Sequence, residues 1–328
     1  MLANGNIYLD YNATTPIDPM VFEAMEPFYH SHFGNASSNH SLGNYNRQAI
    51  DFAREQVAGL LGCQQEDIIF TSGGSESNNM ALKGIASRRA DQGQHIIVSK
   101  VEHPAILNVV QYLQHQGFRI TYLPVDGQGV VRADDLEEII TSKTILVSVM
   151  HANNEIGSIQ PINELAEVAH AAGAVFHTDA AQSVGKIPVD VSDLGCDLLS
   201  LAGHKLYAPK GVGAIYIKGG VDLEPLIHGA NHENGMRAGT ENVAQIVGLG
   251  MAAEIASQKL ESEMLRQQNL RDRLQASLKQ AFPEIRVNAG NTQRLPNTLS
   301  VSFAELNALD ILANLDEVLL SAGAACHS

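Results

Sequence analysis

The sequence is poor in cysteine and has no long apolar run, and both absences narrow the class of protein. Its three cysteines are Cys63, Cys196 and Cys326. They are too few and too widely spaced for a disulfide framework or a paired-cysteine metal site. No stretch reaches the roughly 18 apolar residues of a membrane-spanning helix, and no signal-peptide pattern opens the chain. We therefore expect a cytoplasmic protein without a membrane span.

Positive charge is also scarce. The chain has 21 lysines and arginines against 36 aspartates and glutamates, a net charge of −15. Nucleic-acid binding requires basic surfaces, and anionic membranes attract basic segments, so we expect neither as a partner. With 45% hydrophobic residues among 328, the chain can bury a large core, and we expect one large domain and a smaller one.

Short apolar runs alternate with helical patterns along most of the chain. Strands are predicted at 68–70, 95–99, 119–124, 144–150, 175–178, 198–201 and 212–217, and helices at 46–61, 75–89, 105–116 and 163–172. This order predicts an α/β fold with a mostly parallel sheet covered by helices. A long helical region at 242–281 is typical of a crossing into a second domain. Beyond it we predict strands at 285–287, 298–303 and 318–321, and a helix at 308–314.

Lys205 and Asp179 carry the first chemical prediction. Asp179 ends one predicted strand, and Lys205 follows the next in a turn. A lysine amine can form a Schiff base with pyridoxal 5'-phosphate, and a carboxylate can keep the pyridine nitrogen of that cofactor protonated. The alternative is a solvated loop lysine, which is the commoner situation for a lysine after a buried strand.

Other polar loops follow predicted strands, where open α/β sheets bind ligands. The segment 71–75, with Gly73 and Gly74, predicts a phosphate-binding turn at a helix N-terminus, or else an ordinary helix cap. His103 is a candidate for stacking on a cofactor or for proton transfer, or else a capping or surface residue. The amides in 153–154 predict contacts with a phenolate or carboxylate oxygen, or else a simple turn.

Cys326 is the candidate nucleophile. It lies among small residues after a predicted strand, and the neighbouring His327 favours the thiolate. The alternative is a buried, inert thiol, an interpretation that fits Cys63 and Cys196 better because they lie in apolar stretches. His228 and His232 stand four apart, but the segment between them is a poor helix, so we predict no metal site.

Seven segments in this order resemble the NifS-like cysteine desulfurases, which belong to the class V aminotransferase family of fold type I pyridoxal phosphate enzymes. The segments are 8–16, 70–79, 102–103, 151–157, 179–186, 203–205 and 237–241. The resemblance extends from Tyr8 to Cys326. It implies a seven-stranded, mostly parallel sheet with helices on both faces, and a smaller α+β domain.

The resemblance implies a role for each residue around the cofactor ring. Lys205 holds the cofactor as a Schiff base, and Asp179 pairs with the pyridinium nitrogen. Gln182 donates to the phenolic oxygen. His103 stacks on the ring and serves in acid–base steps.

The phosphate group is also assigned by resemblance. Ser75, the Gly74 amide and His204 hold it within one subunit, and Thr240 reaches the phosphate of the other subunit. The family pattern therefore implies a homodimer.

The implied substrate is L-cysteine. Asn154 helps to hold its carboxylate, and Cys326 attacks its sulfur, which leaves L-alanine and a persulfide for iron–sulfur clusters or thiolation through an acceptor or scaffold protein. Two alternatives stay open: a selenocysteine lyase acting on L-selenocysteine, and a catalytically impaired dimer that acts as a scaffold for sulfur-transfer partners.

Several positions depart from the family pattern. Ala202 replaces a serine that bonds the phosphate, Ala208 and Ala230 replace glycines, and Asn234 replaces an arginine. Family members also continue beyond the catalytic cysteine and supply an arginine for the substrate carboxylate, whereas this sequence ends at Ser328. We expect a large cofactor-binding domain at 14–245 and a small domain at 1–13 and 246–328, incomplete at its C-terminal end.

Overall fold

The computed structural model describes residues 5–323. The strands are β1 Ile7–Tyr8, β2 Ile68–Thr71, β3 His95–Ser99, β4 Arg119–Leu123, β5 Thr144–Ser148, β6 Val175–Asp179, β7 Leu198–Ala202, β8 Gly213–Ile217, β9 Arg286–Val287, β10 Val301–Ser302 and β11 Val318–Leu319. The helices are α1 Pro19–Met25, α2 Pro27–His30, α3 Ser41–Leu61, α4 Gly74–Arg88, α5 Pro104–His115, α6 Ala133–Ile139, α7 Ile162–Ala171, α8 Val191–Leu194, α9 Val243–Ala281 and α10 Ala308–Ala313.

The central sheet has seven strands in the order β2-β8-β7-β6-β5-β3-β4. Strand β8 runs antiparallel to both of its neighbours, and the other neighbouring pairs are parallel. The predicted seven-stranded, mostly parallel sheet is therefore confirmed. Since β2 and β7 are both antiparallel to β8, the carboxyl ends of β2, β3, β5, β6 and β7 lie at one edge.

Helices cover both faces of this sheet, because successive residues of a strand point to opposite sides. On β6, Phe176 packs in a core with residues of α1, α3, α7 and α9. Its neighbour Val175 packs in a second core with residues of α4 and α5. The strands buried on both faces explain why their sequences read as continuous apolar runs rather than as alternating patterns.

Most predicted elements are confirmed, with shifted ends. Helix α3 begins at Ser41 rather than at 46, because the His40 side chain caps it by accepting a 3.1 Å hydrogen bond from the Gly43 N–H. The strand predicted at 298–303 contains only Val301–Ser302, since the backbone turns at Thr298, whose N–H bonds to Leu295. Four helices were not predicted: α1, α2, α6 and α8.

Two short sheets lie outside the central one. β1 pairs in parallel with β11, which joins the two ends of the described chain, and β9 pairs with β10. Helix α9 is continuous over 243–281, buried near its start and mostly exposed beyond Ala253. The division into domains at 14–245 and at 1–13 with 246–328 stays a prediction. Within 5–323, no helix combines the length and apolar composition that crossing a membrane requires.

Candidate active site

A cavity of about 830 Å³ opens at the carboxyl edge of the central sheet. Most of the predicted cofactor-binding residues line it together, namely Gly74, Ser75, His103, Asn154, Asp179, Gln182, His204 and Lys205. They come from the segments that follow β2, β3, β5, β6 and β7, and from the last residue of β6. Thr240 is not among the lining residues and is exposed. Cys326 lies outside the described residues.

Asp179 is the last residue of β6 and is buried. Its Oδ2 accepts a 2.7 Å hydrogen bond from the side-chain amide of Asn78 on α4. Its Oδ1 accepts a 3.0 Å bond from the Ala181 N–H. The two donors fix the plane of the carboxylate, so Asp179 presents an oriented negative charge to the cavity.

Lys205 ends the short 3-10 turn Gly203–Lys205 that follows β7. Its Nζ donates to the carbonyl oxygen of Asn12 and, at 2.8 Å, to that of Ala13. The N-terminal segment is attached to the same turn by Thr15, whose N–H and Oγ both donate to the His204 carbonyl, at 2.9 and 3.0 Å. Residues 12–14 therefore line the cavity directly beside the lysine amine.

Gln182 lies on the turn that follows β6 and is buried. Its Nε2 donates a 2.9 Å hydrogen bond to the Asn12 carbonyl, which also accepts from Lys205. Its Oε1 accepts a 2.7 Å bond from Lys186 Nζ. The Asn12 carbonyl thus brings the amide of Gln182 and the amine of Lys205 to one point of the cavity.

The predicted phosphate-binding turn forms the N-terminus of α4. Gly73 precedes the helix with φ of 145°, a conformation that favours glycine. A Cβ on Gly74 would come within 3.3 Å of the Ala202 side chain, so the turn packs closely against the end of β7. The Ser72 N–H donates at 2.8 Å to Glu76, which is held by Arg237 at 2.9 Å. The first N–H groups of a helix and its dipole suit an anion at this point.

His103 is the N-cap of α5, because its Nδ1 accepts a 3.1 Å hydrogen bond from the Ala105 N–H. The ring proton of the neutral imidazole is therefore on Nε2. The preceding Glu102 is buried, and its Oε1 accepts from Ser99 at 2.6 Å and from the Met150 N–H at 2.7 Å. Burial raises the pKa of Glu102 to about 8. Glu102 is therefore a protonated, neutral carboxyl group at neutral pH. Its hydrogen bonds link the loop after β3 to the loop after β5.

His204 lines the same cavity as the phosphate-binding turn, and its Nδ1 is 3.2 Å from the Thr14 hydroxyl. Partial burial, followed by the positive charges of Lys205 and Lys210, lowers the pKa of His204 to about 4. His204 is therefore neutral at pH 7, and it can offer one N–H to an anion.

The two asparagines after β5 have different surroundings. Asn153 is buried, and its Oδ1 accepts from the N–H groups of Glu155 and Ile156, at 2.9 and 3.0 Å. It therefore stabilises the turn, which was one of the two interpretations of this segment. Asn154 lines the cavity, and its carbonyl accepts a 3.2 Å bond from Asn12 Nδ2.

The two described cysteines are poor nucleophiles. Cys196 is buried and Cys63 partly buried, and burial raises the pKa of each thiol to about 12. A thiol with so high a pKa holds almost no thiolate at neutral pH. Ser321, Ala322 and Gly323, the last described residues, line the cavity.

The remaining histidine pair lies away from this cavity. His228 is exposed and 3.1 Å from Glu224. His232 accepts a 3.3 Å hydrogen bond from the Gly239 N–H, and it lies 3.9 Å from Glu241. Each histidine has its own acidic neighbour.

Three residues at the site were not assigned a role from sequence: Asn12, Asn78 and Lys186. Each lies within one of the segments that carry the resemblance. The sequence shows that each of these three residues is a polar side chain in such a segment. Nothing in the local sequence, however, distinguishes it from the other polar residues of the same segment. Their partners are distant in sequence, as with Asn78 and Asp179, which are 101 positions apart.

The fold and the cavity define a pyridoxal phosphate enzyme of the mostly parallel α/β type. Residues 7–328 match the family model described as aminotransferase class-V, and the chain belongs to that family. The cofactor of this family is pyridoxal 5'-phosphate.

Two relatives that match almost the whole chain are cysteine desulfurases. The chain is 50% identical over 324 residues to "Cysteine desulfurase IscS" of Dictyoglomus turgidum, a match that covers 98% of this chain and 82% of that protein. It is 46% identical over 329 residues to the protein of the same name from Clostridium botulinum, covering 99% and 83%. These matches confirm the resemblance stated from sequence.

Two solved structures have the same fold as this chain. A "NifS-like protein" superposes with a TM-score of 0.91 at 39% identity, covering 94% of this chain and 85% of that one. "SspA in complex with cysteine" superposes with a TM-score of 0.84 at 37% identity, covering 97% and 90%. The cavity therefore lies in a fold shared with a protein solved in complex with cysteine.

The residues of the cavity fit pyridoxal phosphate. The ring nitrogen of this cofactor requires a carboxylate, its aldehyde an amine, its phenolic oxygen a donor and its phosphate an anion site. Asp179, Lys205, Gln182 and the N-terminus of α4 supply these four groups at the edge of one cavity.

Proposed function

We propose that this protein is a pyridoxal phosphate-dependent cysteine desulfurase that converts L-cysteine to L-alanine and carries the released sulfur on Cys326. The observation that carries the proposal is the meeting of Lys205, Asp179 and Gln182 in one cavity. The chain that places them is 50% identical to a cysteine desulfurase.

The chain's own residues hold the cofactor. Lys205 attaches it covalently through Nζ, and the oriented carboxylate of Asp179 keeps the ring nitrogen protonated. The N–H groups at Gly74 and Ser75, with neutral His204, bind the phosphate. When bound, the protonated ring withdraws electrons from the substrate's α and β carbons.

His103 is the residue that transfers protons to and from the substrate. Its Nδ1 is occupied by the Ala105 N–H, so Nε2 is the atom that exchanges a proton with the substrate. Because the N-cap position fixes the ring, this atom is held in place before substrate binds. Asn154, which lines the same cavity, binds the substrate carboxylate through its side-chain amide.

The sulfur transfer conserves atoms and electrons. The Cys326 thiolate attacks the sulfur of substrate cysteine, an S–S bond forms and the C–S bond breaks. The electron pair of the C–S bond stays with the substrate carbon, which takes up a proton and becomes the methyl group of alanine. Cysteine and the Cys326 thiol thus yield alanine and a Cys326 persulfide.

We further propose that the protein is a homodimer. Large apolar side chains are exposed on and after α1 and α2, with Phe33 73%, Tyr29 60% and Phe22 59% exposed. Large apolar side chains exposed on neighbouring segments of the chain are typical of protein interfaces. Thr240 is exposed outside the cavity, a position that suits contact with the phosphate bound in a second subunit.

The sulfur acceptor and the compartment are proposals as well. A protein-bound persulfide is passed on by thiol exchange, so the acceptor is a protein with an accessible thiol, such as an iron–sulfur scaffold. Thiols persist in a reducing compartment, and we therefore place the protein in the cytoplasm. Cell fractionation and capture of the acceptor by a persulfide-trapping reagent test these two proposals.

The central experiment measures alanine and sulfide formed from L-cysteine in the presence of a reducing thiol, with persulfides mapped by mass spectrometry. Wild type is expected to form both products and to carry persulfide on Cys326. Cys326→Ala is expected to bind cysteine but release no sulfide, whereas Cys63→Ala and Cys196→Ala retain activity. Persulfide on Cys63 or Cys196 refutes the assigned nucleophile. Cofactor binding without turnover of cysteine or selenocysteine supports the scaffold alternative.

A further inference from the structure

Lys186 is a buried lysine that takes no direct part in the proposed function. The residue is 9% exposed, and its Nζ donates a 2.7 Å hydrogen bond to Oε1 of Gln182. Across the described range 5–323 it forms no ion pair. Burying an amine without a counter-ion is unfavourable for folding. Stability therefore does not explain its position.

The contact with Lys186 fixes the amide of Gln182 from one end, and Asn12 fixes it from the other. A lysine ammonium only donates, so the atom of Gln182 that faces it is the oxygen. The Asn12 carbonyl only accepts, so the atom that faces it at 2.9 Å is the nitrogen. Two independent partners thus require the same orientation, with the N–H hydrogens of Gln182 directed to the side of Lys205.

The charged groups around Lys186 and Gln182 come from several elements of the fold. Lys205 donates to the same Asn12 carbonyl, so a row of contacts joins Lys186, Gln182, Asn12 and Lys205. Burial, and then the charge of Lys205, lowers the pKa of Lys186 to about 7.

Other groups complete this environment. Lys186 acts electrostatically on His204, as do Lys205, Lys210 and His103. The acidic residues that line the same cavity are Asp10, Glu76, Glu155 and Asp179, the last at the end of β6.

We propose that Lys186 is a positioning residue that acts through Gln182, holding its amide so that Nε2 donates to the phenolic oxygen of pyridoxal phosphate. The inference rests on the proposed function, in which Gln182 meets that oxygen. A donor there withdraws negative charge from the phenolate, which then stabilises a proton on the neighbouring Lys205 nitrogen less well. Loss of the donor therefore raises the pKa of the nitrogen that joins Lys205 to the cofactor.

The test is a pH titration of the cofactor's visible absorbance in the holoprotein. Lys186→Met is expected to retain cofactor and to shift the spectral midpoint upward by about one pH unit. Gln182→Ala is expected to give a similar shift. Because Lys186 acts through Gln182, adding Lys186→Met to Gln182→Ala should move the midpoint little further. Lys143→Met, at an exposed position before β5, is the matched control and should leave the midpoint unchanged.

A second variant separates the donor from the charge. Lys186→Gln retains a donor but no charge, and it is expected to keep the midpoint closer to wild type than Lys186→Met does. An equal shift in both, a full additional shift in the double variant, or a wild-type midpoint for Lys186→Met overturns the inference. Thermal unfolding of each variant verifies that the folded protein is being titrated.

If the proposed function is wrong, the experiment gives a result that differs from each of those above. In that case the wild type itself shows no visible absorbance and no cofactor attached to Lys205, whatever residue 186 is.

Discussion

Asn78 donates a 2.7 Å hydrogen bond to the carboxylate of Asp179, which lies 101 positions further along the chain. Asn78 is in the second turn of α4, and Asp179 ends β6. Both side chains are buried. The helix proposed to hold the cofactor phosphate therefore also orients the carboxylate proposed to meet the ring, and one rigid element would position both ends of the cofactor.

The first prediction tests this link. Asn78→Ala removes one of the two donors to the Asp179 carboxylate, and a hydrogen bond to a charged group contributes about 1.5–3 kcal/mol. We expect cofactor affinity or turnover to fall by roughly tenfold or more. Titration of the apoprotein with pyridoxal phosphate, followed by kinetics, measures both. Asn163→Ala, which removes an amide on α7, should leave both unchanged, and equal losses in the two variants would contradict the assignment.

The second prediction concerns pH and Glu102. Its ordinary pKa is 4.5, and burial raises it to about 8 in the folded state, so between these values the folded state binds more protons than the unfolded state. The stability that the protonated carboxyl contributes is fully present below pH 4.5 and is lost as pH rises through about 8. Within that window the loss is on the order of 1 kcal/mol per pH unit.

Glu102→Gln removes this titration while keeping the oxygen that accepts from Ser99 and Met150. We therefore expect the free energy of unfolding of wild type, relative to this variant, to decrease steadily as pH rises toward 8. Urea denaturation across pH measures it. Glu137→Gln, at an exposed position on α6, is the control. A difference between wild type and Glu102→Gln that does not change with pH is incompatible with a neutral buried acid.

The third prediction concerns Gly213, which lies in β8 between the ends of β2 and β7. A Cβ there would meet the Leu201 carbonyl at 2.6 Å and Gly73 Cα at 2.7 Å. Gly213→Ala should displace the phosphate-binding turn, lower stability by about 1–3 kcal/mol and weaken cofactor binding. Gly127→Ala, where a Cβ has open space, should do neither. Unchanged cofactor affinity in Gly213→Ala would show that the turn tolerates displacement.

The fourth prediction concerns self-association. Phe33→Asp places a charge in the exposed apolar surface after α2, so it should convert the proposed dimer to a monomer. Leu265→Asp changes a residue of α9 that is also well exposed, at 61%, and should leave the mass unchanged. Analytical ultracentrifugation distinguishes these results. A dimer that survives Phe33→Asp would place the interface elsewhere.

The fifth prediction concerns the cofactor attachment. Borohydride reduction of the holoprotein should fix pyridoxal phosphate on Lys205, as read by peptide mass spectrometry. Lys205→Ala should lose this adduct and all turnover, because no other amine shares its place beside Asn12 and Ala13 in the described structure. An adduct on Lys186 or Lys210 in wild type would move the assignment to that residue.

The chain's local patterns were sufficient to predict most of the helices and strands and the edge of the sheet at which the site lies. Continuous apolar runs such as 144–150 predicted buried strands, because strands covered on both faces are apolar throughout. Polar residues directly after such runs, Asp179 and His103 among them, lie at the carboxyl edge as predicted, since parallel strands end on the same side. The ends of elements were less accurate, because caps such as His40 depend on one side-chain hydrogen bond.

The contacts that build the site were decided by tertiary structure. Lys205 meets the carbonyl of Asn12 across 193 positions, and Gln182 meets the same carbonyl across 170. These contacts depend on the strand order β2-β8-β7-β6-β5-β3-β4, which local patterns do not encode. Lys186 illustrates the difference: its sequence neighbours assign it no role, and only burial against Gln182, with no carboxylate to pair with in the described structure, marks it as part of the site. The physical reason is that hydrogen-bond partners of buried groups are selected by packing, after distant segments have met.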